Sequence, residues 1–280
     1  MKKAFITIII FSLSNIGIGQ APISVSKVGK GNPIIFLPGF TSPGSVWEAT
    51  IENLSISAES HTVSYAGFNG LAPIGTPWYP VIKQALLDYV NKEGLTNITL
   101  VGHSMGGNLA TELAAELNEA IIGLIIVDAL PCMREVMMPG VPASSIQYES
   151  PYNNQLISMS DEAFEQVAKT MAGNMTNQEE KKDLLASWSV EADRETYAYG
   201  YTDLLKLDLR PLLSKIEVNT LILGASFPTK EIAISTLESQ YANLKDKNIK
   251  VIEDSKHFIM FDQPEWFYDQ VNEYLNDNAQ

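Results

Sequence analysis

One short segment of the chain combines a candidate nucleophile with a backbone that could activate it. Gly102-His103-Ser104-Met105-Gly106 carries a serine with a glycine two positions away on each side. An apolar run at 98–101 precedes it, and a run of helix-forming residues at 108–117 follows. A serine on a sharp turn between a strand and a helix has its hydroxyl raised above the end of the sheet, and flanking small residues make room for that turn. The same pattern is also compatible with a glycine-rich turn that binds phosphate or only reverses the chain.

A serine hydroxyl becomes a good nucleophile when a base removes its proton, and the chain has three histidines. His103 adjoins Ser104, and we expect its side chain to point elsewhere. His61 opens a predicted strand and should lie at the opposite, amino edge of the sheet. His257 follows the predicted strand 249–252 by a short loop, which puts it at the carboxyl edge. His257 is therefore the candidate base.

The elements that must position these residues alternate between apolar strands and helices. Because such alternation is typical of a parallel sheet covered by helices on both faces, the sequence predicts an α/β fold with its site at the carboxyl ends of the strands. The predicted strands are 23–28, 33–37, 61–66, 98–101, 121–127, 220–223 and 249–252, and a helix is predicted over 78–93.

Residues 131–207 break this alternation, because they contain no strong strand and have helical segments beginning near Ser160 and Thr176. Six of the nine methionines and five tyrosines lie in this segment. They either line an apolar acyl or aromatic pocket or pack the segment onto the rest of the protein. These residues are Met133, Met137, Met138, Met159, Met171, Met175, Tyr148, Tyr152, Tyr197, Tyr199 and Tyr201.

The first residues are unlike the rest of the chain. Lys2 and Lys3 precede a short apolar run and then small and polar residues, which predicts a signal peptide over residues 1–21 and a periplasmic or extracellular protein. An uncleaved membrane anchor is the alternative. After cleavage, no stable membrane insertion is expected. The net charge of −14 argues against nucleic-acid partners, and the single Cys132 cannot form an internal disulfide.

The chain resembles the α/β-hydrolase family along most of its length. The segment around Ser104, with its strand and helix, looks like the family's nucleophile turn, and Ser255-Lys256-His257-Phe258-Ile259 looks like its histidine loop. The resemblance implies a mostly parallel, doubly wound sheet built from residues 22–130 and 208–280. It also implies that residues 131–207 form a helical cap inserted over the active site.

The resemblance further implies an oxyanion hole made of backbone amides. The loop Leu37-Pro38-Gly39-Phe40-Thr41 follows the first buried strand and has Pro-Gly where many members carry His-Gly. Because the oxyanion is bound by a backbone amide and not by a side chain, this departure matters little. We expect the amides of Phe40 and Met105 to form the oxyanion hole, with Met105 at the start of a helix.

The acid of the triad departs from the usual family pattern. Most members carry it after the strand that corresponds here to 220–224, but this chain has no carboxylate there until Glu231. A subset of the family uses an acid at the end of the preceding strand, and here that strand ends in Asp128. The order serine, aspartate, histidine is then kept. Asp128 is the predicted acid, while Glu231 and Asp254 stay open as alternatives.

These features predict a serine hydrolase that cleaves a small, apolar or aromatic carboxylic ester through an acyl-enzyme, with no metal or cofactor. Thioester, lactone or amide hydrolysis and perhydrolysis are alternatives on the same residues. A hydrolase-like binding protein with little turnover is a further alternative, because of the missing acid. Dehalogenases and epoxide hydrolases are set aside, since their nucleophile is a carboxylate and this chain has Ser104.

Overall fold

A computed structural model describes residues 21–278, so the predicted signal peptide over residues 1–21 lies outside the described residues except for Ala21. Seven strands of the described chain form one sheet in the order β1-β3-β2-β4-β5-β6-β7. Only β1 runs antiparallel to its neighbour within this sheet. The strands are β1 (Ile23–Gly29), β2 (Asn32–Leu37), β3 (Ala58–Tyr65), β4 (Ile98–His103), β5 (Ile121–Val127), β6 (Thr220–Ala225) and β7 (Lys247–Ile252).

Eleven α-helices surround this sheet in the described part of the chain, and five of them lie between β5 and β6. The predicted fold class, a mostly parallel α/β sheet, is confirmed. The helices are α1 (Glu48–Glu52), α2 (Trp78–Glu93), α3 (Met105–Glu116), α4 (Met133–Met137), α5 (Pro151–Ser158), α6 (Asp161–Met175), α7 (Glu179–Val190), α8 (Arg194–Lys206), α9 (Lys230–Gln240), α10 (Ile259–Asp262) and α11 (Pro264–Asn278).

The central strands form because their apolar runs can be buried on both faces of the sheet. Every residue of β4 and of β6 is buried. One apolar core lies between the sheet and helices that include α2 and α3, and a second core on the other side includes α11. Since β2, β4, β5 and β6 are parallel, their carboxyl ends meet at one edge, and the loops that follow them converge there.

Two local predictions were wrong in detail. The strand containing His61 begins earlier, at Ala58, so His61 lies inside β3 rather than at its start. The helix expected near Thr176 begins at Glu179 instead. Thr176 follows the end of α6, where its hydroxyl donates to Asp262 and accepts the amide of Gln178 just before α7. The hydroxyl that predicted a helix start is thus bound by a long-range partner as well as by a local amide.

Candidate active site

Ser104 lies on the tight turn between β4 and α3, with a φ of 53° that residues other than glycine rarely adopt. Its amide donates to the carbonyl of Val127 at 2.9 Å. The glycines on either side are required by space. A Cβ on Gly102 would lie 2.2 Å from the carbonyl oxygen of Gly106, and one on Gly106 would lie 2.1 Å from that of Leu37. Glycine at both positions therefore permits this turn, since no larger residue fits at either of them.

His257 and Asp128 meet at the carboxyl edge of the sheet. The Nδ1 atom of His257 lies 2.7 Å from Oδ2 of Asp128, and Oδ1 of Asp128 accepts the Ala225 amide at 3.0 Å. Asp128 directly follows β5 and has a φ of 45°. Ser104 and His257 line the same cavity. Among residues 21–278, the His257 ring is hydrogen-bonded to the side chain of Asp128 and not to that of Ser104. Proton transfer from Ser104 to His257 therefore requires a closer approach of the two side chains or one bridging water.

The two alternative acids lie elsewhere. Glu231 is in the first turn of α9, where hydrogen bonding to its own backbone amide and to Thr229 lowers the pKa of its carboxyl. Asp254 occupies a turn after β7 with a φ of 56°, and its carbonyl accepts from the side chain of Asn177. Within the described chain, neither carboxylate is hydrogen-bonded to His257.

His103 is a site residue that the sequence analysis missed. It is fully buried at the end of β4, and its ring centroid lies 4.6 Å from that of His257. Its Nε2 donates to the backbone carbonyl of His257 at 2.9 Å. Burial, reinforced by the neighbouring His257, holds the pKa of His103 well below its usual value, so the ring is neutral. The signal that could have found it is its position: a buried histidine at a strand end needs a hydrogen-bond partner.

The two residues predicted for the oxyanion hole also line the cavity. Met105 is the first residue of α3, so its amide lies at the positive end of the helix and has no carbonyl partner within it. Phe40 follows β2 by a short loop, in which the Ser42 amide donates to the Gly39 carbonyl at 3.1 Å. The Met105 amide thus directly follows Ser104 at the start of α3, and the Phe40 amide belongs to the loop after β2 that borders the same cavity.

The cavity has a volume of about 600 Å³ and is lined mostly by apolar side chains. Helices α4, α6, α7 and α8, all between β5 and β6, contribute to its wall. Among the described residues that line it there is no lysine or arginine, and Asp128 is the single carboxylate. Burial raises the pKa of Tyr197 in this wall to about 12, so that phenol stays neutral.

The mouth of the cavity exposes apolar side chains. Phe227, which follows β6, is 77% exposed, and Met137, the last residue of α4, is 56% exposed. Ile232 and Val136 are also exposed, and all four residues line the cavity. Apolar groups left in water next to a binding cavity are typical of a surface that contacts a ligand. We refer to these four residues as the rim.

The sequence profile of a family described as "Alpha/beta hydrolase family" matches residues 34–270. Together with the fold and the position of Ser104, this match shows the class of the protein. The chain belongs to the alpha/beta hydrolase family, and the prediction of an enzyme of this class is confirmed.

Individual relatives are more distant. The chain is 22% identical over 264 residues to the pimeloyl-(acyl-carrier protein) methyl ester esterase of Aeromonas hydrophila, covering 90% of this chain and 99% of that one. A shorter match to the enzyme of the same name from Aliivibrio fischeri is 31% identical over 105 residues, 37% of this chain and 39% of the relative. Among solved structures, the esterase EaEST from Exiguobacterium antarcticum has a TM-score of 0.75 at 22% identity, covering 91% of this chain and 95% of that one.

None of the helices between residues 21 and 278 is both long and apolar enough to cross a bilayer. In the same range, no group of three or more histidine, cysteine, aspartate or glutamate side chains is arranged to hold a metal ion.

Proposed function

We propose that the protein is a carboxylic ester hydrolase in which Ser104 is the nucleophile, His257 the base and Asp128 the orienting acid. The observation that carries this proposal is the 2.7 Å contact between Asp128 and His257 beside the cavity that Ser104 also lines. A histidine whose Nδ1–H is held by a carboxylate presents its other nitrogen as a proton acceptor. Relatives named as esterases give the same reaction class independent support.

The reaction follows from these roles. Nε2 of His257 takes the proton of the Ser104 hydroxyl while its oxygen attacks the ester carbonyl carbon. The negative charge that forms on the carbonyl oxygen is stabilised by the amides of Phe40 and Met105. When the bond to the alcohol oxygen breaks, His257 returns the proton to that oxygen. Water then attacks the acyl-enzyme with the same proton transfers, which releases the carboxylic acid and restores Ser104.

The cavity favours a neutral, apolar ester. Its walls are apolar, and none of its described lining residues is a lysine or arginine that could pair with an anionic group. A charged carboxylate on the substrate would lose its hydration without gaining a counter-ion, which is costly. Asp128, the one carboxylate of the lining, would add repulsion. We therefore expect neutral acyl chains or aromatic groups to be preferred over acids.

The contact of Asp128 with His257 also supports turnover over a binding function without catalysis. The binding alternative depended on the missing acid after β6, and Asp128 supplies a carboxylate at that point from the neighbouring strand. Thioesters, lactones and amides present the same carbonyl to Ser104 and differ in the leaving group. They are tested as parallel substrates.

The test uses the purified protein lacking residues 1–21, with p-nitrophenyl esters from acetate to dodecanoate and a fluorophosphonate probe. We expect turnover of the esters above that of a thioester and a p-nitroanilide, and probe labelling at Ser104. Ser104→Ala should abolish both, and His257→Ala should slow both. Ser214→Ala is the matched control, since Ser214 is exposed in a short 3-10 helix, where its hydroxyl donates to the nearby carbonyl of Pro211. A wild-type protein that neither reacts with the probe nor hydrolyses any ester contradicts the proposal.

Export is a separate part of the proposal and depends on the amino-terminal sequence pattern alone. Expressed with its own first residues in a bacterial host, the protein should be recovered outside the cytoplasm with an amino terminus at residue 21 or 22. Amino-terminal sequencing of the exported fraction measures this. Recovery of the intact precursor in the cytoplasm contradicts it.

A further inference from the structure

The loop that carries His257 is held at three consecutive residues by groups from other elements. The amide of Lys256 donates to Oδ2 of Asp262 at 2.7 Å. The carbonyl of His257 accepts from Nε2 of His103 at 2.9 Å. The amide of Phe258 donates to the carbonyl of Met175, the last residue of α6, at 3.0 Å. The imidazole position is therefore set by hydrogen bonds that reach beyond its own loop.

The second oxygen of Asp262 binds the end of α6. Oδ1 accepts the hydroxyl of Thr176 at 2.6 Å and the amide of Asn177 at 2.9 Å. Asp262 is 8% exposed and Thr176 is 0% exposed. One buried carboxylate thus joins the histidine loop on one side to the residues following α6 on the other. Lys256 strengthens the same connection, because its ammonium donates to the carbonyl of Gly173 in α6 at 2.7 Å.

The same end of α6 also lines the cavity. Met171, Ala172 and Met175 contribute to the wall in which Ser104 and His257 lie. A substrate that packs against these side chains therefore contacts the helix end that is bonded to the histidine loop. The position of the base and the wall of the pocket are consequently mechanically linked through Asp262.

We propose that Asp262 is a positioning residue that fixes His257 relative to Ser104 by bonding the histidine loop to the end of α6. This inference rests on the proposed function, because it concerns the base of that reaction. Asp262 acts only through Lys256 and the backbone of the loop. Its effect is therefore on the approach of the imidazole to the serine hydroxyl, for which a displacement of about 1 Å can cost about 100-fold in rate.

A carboxylate is required because both of its oxygens accept hydrogen bonds. In Asp262→Asn one oxygen becomes an NH₂ group, which cannot accept from either backbone amide. If the NH₂ faces the loop, Lys256 loses its partner. If it faces α6, Asn177 loses its partner. Either orientation removes one of the two backbone hydrogen bonds through which Asp262 joins the loop to the helix end, and it leaves a buried amide without its partner.

The test compares Asp262→Asn with Asp254→Asn, which makes the same chemical change two residues from Lys256 on a side chain that does not bind the loop. Asparagine tolerates the positive φ of Asp254. Active sites are counted by complete fluorophosphonate labelling, and kcat for p-nitrophenyl acetate is expressed per labelled site. We expect Asp262→Asn to lower kcat per site and the labelling rate by about 10- to 100-fold with KM changed less than about twofold. Asp254→Asn should match the wild type.

A purely structural role gives a different result, namely a lower melting temperature and fewer labelled sites with wild-type kcat per site. That outcome overturns the proposal. If Asp262→Asn does not fold, Thr176→Val and Thr176→Ser decide, because valine removes the hydroxyl that Asp262 accepts and serine keeps it. Thr176→Val should lower kcat per site and Thr176→Ser should restore it; equal values contradict the proposal. Failure of the proposed function would be visible in the wild type, whereas failure of this inference is confined to the variants.

Discussion

The Asp128 carboxylate lies 2.7 Å from Nδ1 of His257 with one oxygen and accepts the Ala225 amide at 3.0 Å with the other. The contact joins the end of β5 to a loop 129 residues further along the chain. The Ala225 amide fixes the rotation of the carboxylate, so the second oxygen is aimed at the imidazole. In the proposed mechanism, this arrangement orients the ring so that Nε2 can serve as the base.

Replacement of Asp128 by asparagine should lower kcat for p-nitrophenyl acetate by about 10³- to 10⁴-fold with a small change in KM. The amide oxygen can still accept from Ala225, so its NH₂ group faces Nδ1 and selects the wrong tautomer of His257. Steady-state kinetics measure this. Glu231→Gln is the control, because Glu231 is in the first turn of α9 and should tolerate the change. A larger loss in Glu231→Gln than in Asp128→Asn contradicts the assignment.

Replacement of Phe227 by serine should reduce kcat/KM for longer acyl chains and leave acetate unchanged. Phe227 lines the cavity and is 77% exposed, so only an acyl chain that reaches the rim can contact it. Loss of about 1 kcal/mol of apolar contact corresponds to a fall of about fivefold. The ratio of kcat/KM for octanoate to that for acetate measures the effect.

The matched control for Phe227→Ser is Val28→Ser, which removes an exposed apolar side chain from β1, away from the cavity. Its octanoate to acetate ratio should equal that of the wild type. If Phe227→Ser lowered kcat/KM by the same factor for all chain lengths, the rim would not contribute to the preference for acyl-chain length.

Replacement of Gly106 by alanine should destabilise the turn that presents Ser104. The new methyl group would lie 2.1 Å from the carbonyl oxygen of Leu37, so strand or helix must shift. We expect a loss of about 1–3 kcal/mol in the free energy of unfolding, typical of overpacking, together with loss of ester turnover. Urea unfolding and kinetics measure both. Gly75→Ala is the control, since a Cβ there meets nothing within 4 Å. Wild-type activity in Gly106→Ala contradicts the spatial argument.

Stability should fall as the pH is lowered from about 6.5, in part because of His103. Burial holds the pKa of His103 well below its unperturbed value of 6.5, so below that pH the unfolded chain binds a proton that the folded chain does not. One such group removes at most about 1.4 kcal/mol per pH unit over the range in which only the unfolded chain is protonated. Well above pH 6.5 the ring is neutral in both the folded and the unfolded chain, so His103 adds no pH dependence to the stability there.

The variant His103→Gln isolates this contribution, because glutamine does not titrate and its amide can still donate to the carbonyl of His257. Its free energy of unfolding, measured in urea at several pH values between 7.5 and 5, should fall less steeply than that of the wild type. Other titrating groups act equally in both proteins. Equal slopes would show that His103 is protonated in the folded state.

Much of the fold and part of the candidate site follow from the sequence. The bounds of α2 and of β5 match the predicted 78–93 and 121–127, because apolar periodicity and run length are local properties of the chain. Ser104 and His257 were predicted as site residues in the same way, since a turn with flanking glycines and a loop after an apolar strand both have short-range patterns.

Only the tertiary structure decided which carboxylate faces His257 and which groups hold its loop. Asp128, Glu231 and Asp254 all follow or border strand ends, so the sequence could not separate them. The contacts of His103 and Asp262 with the histidine loop join residues 154 and 6 positions apart, respectively. Their geometry depends on how the loops and α6 pack at one edge of the sheet, and that packing is a property of the whole fold rather than of any segment.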